Sequence, residues 1–420
     1  MLSIDLIRND PKAVTAALER KGENPPIDLI LSLDLERRSN LTLLEGLRSD
    51  RNRISKEIGL LKEKPQSRIL EVREIGQQIK VLEDKVKEIE DSLSDELLEL
   101  PNLPAEDVPD GVDETSNIVL NEYGKITNFE FNPLPHWTLG ENLGIIDLPR
   151  GSKISGSRFY SLKGQGARLQ RAVYSWMLDL HTNVHGYTEV YVPYLVRKEI
   201  MEGSGNLPKF ADNLYRDEED DLWLIPTAEV PLTGLHRDEI LEAKDLPIYY
   251  VAHTPSFRRE KAAGGKDTRG IKRVHQFDKV ELYKLVTPQS SNDELDKLLK
   301  DAMEVCRLLD IPYRVLQLCS GDMSFPSAKS FDLEMWAPGC EEWLEVSSCS
   351  NCTDFQARRA NIRYRSETTA RPDLVHTLNG SGLALPRVMI SIIENYQMAD
   401  GSIKVPEVIR PYFGGDIISL

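Results

Sequence analysis

A regular repeat of apolar residues in the first quarter of the chain most constrains what this sequence can fold into. Apolar side chains recur there at steps of four and three, at Ile75, Ile79, Leu82, Val86, Ile89 and Leu93. An earlier run has the same rhythm with Arg51 in one of its positions, at Leu44, Leu47, Ile54, Ile58 and Leu61. Such spacing places each set on one side of an α-helix and predicts a coiled-coil seam.

The two runs are separated by a proline that predicts a turn. Pro65 lies in the sequence Lys-Glu-Lys-Pro-Gln-Ser, and a proline ends the helix that precedes it. We therefore expect a long antiparallel helical hairpin within residues 1–100. Each helix should have about 30 residues and a length of about 45 Å.

The turn of this hairpin is expected to be basic. Three acidic residues (Glu57, Glu63 and Glu71) accompany seven basic ones, namely Arg51, Arg53, Lys56, Lys62, Lys64, Arg68 and Arg73. A solvated coiled-coil surface or a dimerising zipper would explain this pattern. A basic tip that reaches a phosphate backbone explains it too, because charge contacts dominate such binding.

Bulk composition narrows the class of protein. The chain has 420 residues and a formal net charge of -16, and no apolar run of about 18 residues that would predict a membrane span. Charged residues interrupt the amino-terminal apolar segment, so we expect no signal peptide and a cytoplasmic location. The five cysteines are typical of reduced thiols, and Cys349 and Cys352 have no second metal-type pair to complete a zinc site.

The remaining sequence predicts an α+β fold. Residues 101–150 are rich in proline and acid and are predicted to form a linker or domain junction. Residues 151–420 contain many short strand-like runs, with helix-like stretches at Ala167–His185 and Asp293–Leu309, which favours a largely antiparallel sheet. No glycine-rich phosphate loop is recognisable, so a nucleotide would have to be held by side chains on that sheet.

One strand-loop-strand segment, Thr254–Glu281, combines groups suited to a polyanionic ligand. It contains Arg258, Glu260, Phe277 and Glu281 around a loop with Gly264, Gly265 and Gly270. An arginine pairs bidentately with phosphate oxygens and remains charged at any working pH. The segment therefore predicts a nucleotide site.

Three further segments complete a recognisable order along the chain. They are Thr227-Ala228-Glu229, Glu345-Val346-Ser347-Ser348, and the run His376–Arg387, which includes Asn379-Gly380-Ser381-Gly382. With the amino-terminal hairpin and the segment His185–Pro193, they resemble the bacterial-type seryl-tRNA synthetases, a family of class II aminoacyl-tRNA synthetases. The resemblance covers essentially the whole length.

The resemblance implies a role for each matching position. Arg258 and Arg387 would be catalytic, clamping the α- and γ-phosphates, and Glu345 and Ser348 would hold Mg²⁺. The positions implied for ATP are Arg258, Arg259, Glu260, Val274, Phe277, Glu345, Val346, Ser347, Ser348 and Arg387. Those implied for serine are Thr227, Ala228, Glu229, Arg258, Glu281 and Ser381.

The implied activity is ATP-dependent ligation of serine to tRNA(Ser), and also to tRNA(Sec) where that tRNA exists. The implied assembly is a homodimer joined around Tyr187–Tyr194, with no membrane or DNA partner. Arg259, Lys261 and Lys266 would face the incoming tRNA end. An amino acid:carrier-protein ligase would share the catalytic core but lack the hairpin. A non-catalytic RNA-binding paralogue should have lost Arg258, Glu345 or Arg387.

Overall fold

The computed structural model describes residues 1–63, 65–261, 268–366 and 371–420. Contacts divide the chain into two compact units, one of residues 1–19 and 23–101 and the other of residues 20–22 and 102–420. Lys64, Gly264, Gly265 and Lys266, which the sequence placed in two loops, lie outside the described residues. No helix among the described residues is long and apolar enough to cross a membrane.

The first unit is helical, with two long helices that form the expected hairpin. Its helices are α1 (Ile4–Asn9), α2 (Pro11–Glu19), α3 (Ile27–Leu60) and α4 (Gln66–Leu98). Two ion pairs join these helices, Arg37 with Glu90 at 2.9 Å and Arg48 with Glu83 at 2.7 Å. The partner on α4 moves to an earlier residue as the partner on α3 moves to a later one. The helices are therefore antiparallel, as predicted.

The apolar seam lies between these helices. Ile79, Val86 and Leu93 are buried on α4, and Leu44 and Ile54 are buried on α3. Leu61, which the repeat placed in the seam, is 48% exposed, and that assignment was wrong. The reason is that α3 ends at Leu60, so the helical periodicity no longer determines where the next side chain points.

An ion pair with a buried carboxylate ties the short first helix to the hairpin. The guanidinium of Arg8 donates from Nε and Nη2 to the two oxygens of Asp34, at 2.8 and 2.9 Å, and Asp34 is fully buried. Hydrogen bonding by Arg8 lowers the pKa of Asp34. Because the folded pKa lies below the unfolded one, this stabilisation is present at neutral pH and is lost as the pH falls through the folded pKa.

The second unit is built on an eight-stranded sheet, which confirms the α+β class. The strand order is β1-β11-β12-β13-β16-β10-β9-β4, and every neighbouring pair is antiparallel except β4 with β9. These strands are β1 (Ile118–Tyr123), β4 (Thr188–Glu189), β9 (Ile248–Phe257), β10 (Gln276–Val286), β11 (Tyr313–Gln317), β12 (Lys329–Ala337), β13 (Glu342–Asn351) and β16 (His376–Ala384).

Smaller sheets and nine helices surround it in the described chain. The other strands are β2 (Ile146–Asp147), β3 (Ser161–Leu162), β5 (Leu195–Arg197), β6 (Arg216–Asp217), β7 (Leu222–Leu224), β8 (Ile240–Glu242), β14 (Arg363–Arg365), β15 (Asp373–Leu374), β17 (Ile403–Lys404) and β18 (Ile417–Ile418). The helices are α5 (His136–Asn142), α6 (Leu148–Ser155), α7 (Gln165–Asn183), α8 (Lys198–Ser204), α9 (Glu229–Gly234), α10 (Ser291–Leu308), α11 (Phe355–Ala360), α12 (Leu385–Asn395) and α13 (Arg410–Phe413).

The core lies where α7, α10 and α12 pack against the large sheet. Leu282 of β10, Leu298 of α10 and Met389 of α12 are all fully buried there. The edge strand β4 covers only Thr188–Glu189 and pairs in parallel with β9. At the opposite edge lies β1, so part of the segment expected to be a linker joins the sheet itself.

Candidate active site

A cavity of about 670 Å³ opens over the strands β10, β12, β13 and β16. It is lined by residues that lie up to 273 positions apart in the sequence, from Glu114 to Arg387. The sequence-predicted residues in its wall are Thr227, Glu229, Arg258, Glu260, Val274, Phe277, Glu345, Val346, Ser348, Ser381 and Arg387. The antiparallel sheet thus brings together segments that the sequence only placed in order.

Two arginines and a carboxylate form one part of the wall, here called the arginine group: Arg258, Arg387 and Glu345. Arg258 follows β9, donates from Nε to the carbonyl of Pro226 at 3.2 Å, and lies 5.2 Å from the ring centre of Phe277. Arg387, in the first turn of α12, donates to both the carbonyl and a carboxylate oxygen of Glu345, at 2.7 and 3.0 Å. Burial would raise the pKa of Glu345, but Arg387, Arg258 and Arg273 together outweigh this and lower it.

The segments on either side of the loop after β9 are tied together. Glu260 adopts a left-handed conformation with φ of 46°, and its carbonyl accepts from Arg158 at 3.0 Å. Its carboxylate lies 3.7 Å from the guanidinium of Arg273 on the returning segment. Next along the chain, Val274 is buried in the cavity wall. The backbone N–H of Arg258 donates to the carbonyl of His275 at 2.9 Å.

A second set of residues, here called the acidic group, consists of Thr227, Glu229 and Ser381 in the wall and Glu281 directly behind it. Glu229 begins α9, and its two oxygens accept from Gln356 at 2.6 Å and from Asn379 at 3.3 Å. Burial, and then the nearby charge of Glu281, raise the pKa of Glu229 to about 7. A carboxylate with that pKa changes its charge close to neutral pH.

Glu281 is held behind this surface by strand pairing. It lies directly opposite Ser381 in the register of β10 with β16, and it is fully buried. The ammonium of Lys279, two residues earlier on the same face of β10, lies 2.5 Å from its carboxylate. Burial raises the pKa of Glu281 while Lys279 opposes that shift.

A further carboxylate, Asp332, faces Ser348 across the β12–β13 ladder. Burial and the charge of Glu345 raise its pKa well above the usual value. Its Oδ1 is buried without a hydrogen bond to a described residue. Carboxylates that converge in this way are oxygen ligands suited to a hard cation such as Mg²⁺.

Four predicted residues do not line the cavity. Ala228 is buried in the core, and Ser347 points to the other face of β13, where its hydroxyl donates to the Ser381 carbonyl at 2.6 Å. Glu281 lies behind the wall, as described above. Arg259 is exposed, with its guanidinium 4.4 Å from the ring centre of Tyr215 and its Nε donating to the Leu214 carbonyl at 2.8 Å.

Sequence reasoning missed other residues in the wall. Lys279 could have been found, because residues two apart in a strand lie on the same face and Glu281 was already assigned to the site. Asn379 lies within a segment that was recognised but was given no role. Only the tertiary structure reveals Lys272, Arg273 and Asp332 as lining residues.

Two protein-family models match this chain, and they indicate its class of enzyme. Residues 209–396, which contain most of the cavity wall, match the "tRNA synthetase class II core domain (G, H, P, S and T)". Residues 1–104, which contain the helical hairpin, match the "Seryl-tRNA synthetase N-terminal domain". The fold and the cavity are therefore those of a class II aminoacyl-tRNA synthetase.

Individual relatives agree over the full length. The chain is 58% identical to a serine–tRNA ligase of Thermomicrobium roseum, over 99% of this chain and 94% of that protein. It is 56% identical to a serine–tRNA ligase of Dehalococcoides mccartyi, over 100% of both chains. The crystal structure of seryl-tRNA synthetase from Pyrococcus horikoshii complexed with ATP superposes with a TM-score of 0.93, at 40% identity, over 100% of this chain and 99% of that one. This chain belongs to the seryl-tRNA synthetase family.

Proposed function

We propose that this chain ligates serine to tRNA(Ser) in two steps at the cavity described above. Serine and ATP first give seryl-adenylate and pyrophosphate, and the adenylate then acylates the 3′ end of the tRNA. The single observation that carries this proposal is the convergence of the arginine group and the acidic group on one cavity. One group suits a triphosphate and the other suits a small amino acid.

In the first step, attack of the serine carboxylate on the α-phosphorus brings two anions together. Arg258 would neutralise the α-phosphate, and Arg387 would bind the γ-phosphate and stabilise the leaving pyrophosphate. The reaction needs no protein nucleophile, because alignment and fixed positive charge lower the barrier. Phe277 would stack on adenine, Glu260 would accept from it, and Val274 and Val346 would contribute apolar surface.

The acidic group would select serine by its polar atoms. We assign the serine ammonium to Glu229, because Glu281 already faces the ammonium of Lys279. Ser381, with the carboxylate of Glu281 behind it, would then bind the serine hydroxyl, and Thr227 would lie beside them. Alanine would leave these buried groups unpaired, at a cost of about 1–3 kcal/mol or more. Ala228 and Ser347 would support the site through packing and through the Ser381 backbone.

Glu345 and Ser348 would hold Mg²⁺, with Asp332 beside them. The set consists of hard oxygen ligands and includes the buried Oδ1 of Asp332, which fits the preference of this cation. When bound, Mg²⁺ would neutralise charge on the phosphates. The residues of this chain would orient the triphosphate, and Arg387 would hold Glu345 in place through its two hydrogen bonds.

The helical hairpin would bind the tRNA. We propose that residues 1–100 form a tRNA-binding arm, residues 101–150 a junction and residues 151–420 the catalytic domain. Of the basic residues at the hairpin turn, Arg53 and Arg68 form ion pairs with Asp50 and Glu71. The others described there would reach the phosphate backbone, since proteins read structured RNA largely by shape and backbone contacts.

The partners and assembly follow from the same proposal. tRNA(Ser) is the substrate, and tRNA(Sec) would be charged where it exists. A homodimer would form around Tyr187–Tyr194, where Tyr191 is 84% exposed, through a two-fold contact. Because tRNA charging takes place where translation does, we propose a cytoplasmic location.

Serine-dependent ATP–pyrophosphate exchange, followed by charging of tRNA(Ser), tests the proposal. We expect exchange with serine and not with threonine, whose extra methyl group the small site would exclude. No exchange with serine, or equal exchange with threonine, would contradict it. Transfer of serine to a carrier protein and not to tRNA would favour the carrier-protein ligase instead.

A further inference from the structure

A buried histidine and glutamate lie behind the candidate active site and are not explained by the proposed function. His136 begins α5 and Glu394 lies near the end of α12, and both are fully buried. The Nδ1 of His136 lies 2.8 Å from Oε1 of Glu394. The Nε2 of His136 lies 3.2 Å from the backbone nitrogen of Ile271, on the segment that returns from the loop after β9.

These contacts determine the tautomer of the histidine. The backbone N–H of Ile271 can only donate, so Nε2 must be the unprotonated acceptor. Nδ1 then carries the proton and donates to the carboxylate of Glu394. Burial lowers the pKa of His136, which keeps the ring neutral and this arrangement intact at neutral pH.

Glu394 is held by donors on all sides. Its Oε1 accepts from the backbone N–H and the ring of His136 and from the thiol of Cys340, at 2.8, 2.8 and 3.0 Å. Its Oε2 accepts from the backbone N–H groups of Gly339 and Cys340, at 2.9 and 3.0 Å. Burial would raise the pKa of Glu394, but its contacts with His136 and Cys340 together outweigh this and lower it.

A metal ion at this cluster is a less satisfactory explanation. The ligand atoms of His136, Cys340 and Glu394 lie within 4.8 Å of one another, which a metal would allow. However, the outer nitrogen of His136 already accepts from Ile271, and both oxygens of Glu394 already accept from N–H groups. Burial raises the pKa of the Cys340 thiol, so it stays protonated and acts as a donor. The cluster is complete as a hydrogen-bonded unit.

The loop segment approaches the histidine as closely as its backbone allows. Gly270 adopts a left-handed conformation with φ of 64°, and a Cβ at this position would lie 2.0 Å from Nε2 of His136. The residues that follow line the cavity: Lys272, Arg273 and Val274. The Nε of Arg387 donates to the carbonyl of Lys272 at 3.5 Å, so the same segment also contacts the arginine group.

Glu394 and Arg387 are seven residues apart on α12, so they lie on the same side of the helix two turns apart. At one end of this face, Arg387 contacts the carbonyl of Lys272. At the other end, Glu394 holds His136, which accepts from Ile271. We propose that His136 and Glu394 are positioning residues, which hold the returning loop segment in register with α12 so that Arg258, Arg273 and Arg387 meet one triphosphate.

This inference rests on the proposed function and is tested with two matched substitutions. In His136→Asn, the amide nitrogen occupies the place of Nδ1 and still reaches Glu394, but nothing accepts from Ile271. In His136→Gln, the longer side chain can place its oxygen near the position of Nε2 and accept from Ile271. Both variants replace the ring by an amide, and they differ by one methylene group in packing volume.

We expect His136→Asn to raise the KM for ATP in pyrophosphate exchange by about tenfold, the effect of one lost hydrogen bond in the site. The KM for serine should change less than about twofold, and His136→Gln should lie closer to the wild type. Calorimetric binding of a non-hydrolysable ATP analogue to the full-length protein should weaken in parallel. If His136→Asn is insoluble, Gly270→Ala tests the same contact from the loop, because its methyl group would clash with the ring of His136 and must move the loop segment and the ring apart.

Wild-type affinity for ATP in His136→Asn or Gly270→Ala would overturn the inference. So would equal losses for ATP and serine in both histidine variants, because that result indicates general packing. Failure of the wild-type protein to exchange with serine would instead contradict the proposed function. The analogue-binding measurement still tests the positioning role in that case.

Discussion

The helical hairpin and the large sheet are stabilised in opposite ways. The hairpin has a narrow apolar seam at residues such as Ile79 and Val86, and most of its ion pairs are exposed to solvent. The sheet unit buries charged and polar side chains beside its core, among them Glu281, Lys284 and Glu394. Exposed ion pairs contribute little, whereas buried charges are costly unless each is paired. The hairpin therefore tolerates surface change, and the sheet unit depends on individual polar contacts.

The largest effect is expected at the first of two adjacent arginines, Arg258 and Arg259. Arg258→Ala removes a guanidinium from the cavity wall and should lower the rate of serine-dependent exchange by about 10²–10³-fold, as for other groups that stabilise developing charge. Arg259→Ala, the matched control, removes a guanidinium that stacks on Tyr215 outside the cavity. It should lower exchange by less than about tenfold. Equal losses for the two variants would show that Arg259 also binds ATP.

A second pair of substitutions tests the seam. Ile79→Ala truncates a buried side chain and should lower the free energy of unfolding of the hairpin by about 2 kcal/mol. Val81→Ala truncates a side chain that is 70% exposed and should change it by less than about 0.5 kcal/mol. Hydrogen exchange of the α4 amides measures both. Similar protection in the two variants would contradict the assigned seam.

The basic turn of the hairpin is tested by charge reversal. Lys56→Glu combined with Lys62→Glu should lower the efficiency of tRNA charging by about tenfold or more, because two cations near the phosphate backbone become anions. Serine-dependent exchange should stay at the wild-type rate, since the adenylation site is unchanged. Lys87→Glu, at an exposed position on α4 away from the turn, is the matched control. Unchanged charging in the double variant would favour the solvated coiled-coil surface.

The smallest expected effect is a pH dependence that arises in the acidic group. The pKa of Glu229 is raised to about 7, so its carboxylate becomes ionised as the pH rises through neutrality. The ionised form binds the serine ammonium, and the KM for serine should fall about threefold between pH 6.5 and 7.5. Glu229→Gln should raise this KM and remove its pH dependence. A KM for serine that does not vary with pH in the wild type would argue against Glu229 as the ammonium ligand.

The hairpin could be predicted almost completely because its contacts are local and periodic. The repeat from Ile75 to Leu93 identified the seam. Leu61 was misplaced in it because this residue lies just beyond the end of α3. The site was predicted from short motifs whose order resembles that of a family. The same reasoning missed Asp332, because its role depends on which strands become neighbours, and it missed Lys279 although strand alternation indicated it.

The sequence by itself determined the hairpin, the α+β class and the family, because periodicity and motif order are properties of the chain alone. Only the tertiary structure decided that Glu281 lies opposite Ser381, that Arg259 points away from the cavity while Arg258 lines it, and that His136 contacts Ile271. Strand register and helix packing set these distances, and both depend on contacts between residues far apart in the sequence. The same packing buries Glu229 and Glu281, and this burial raises the pKa of each carboxyl.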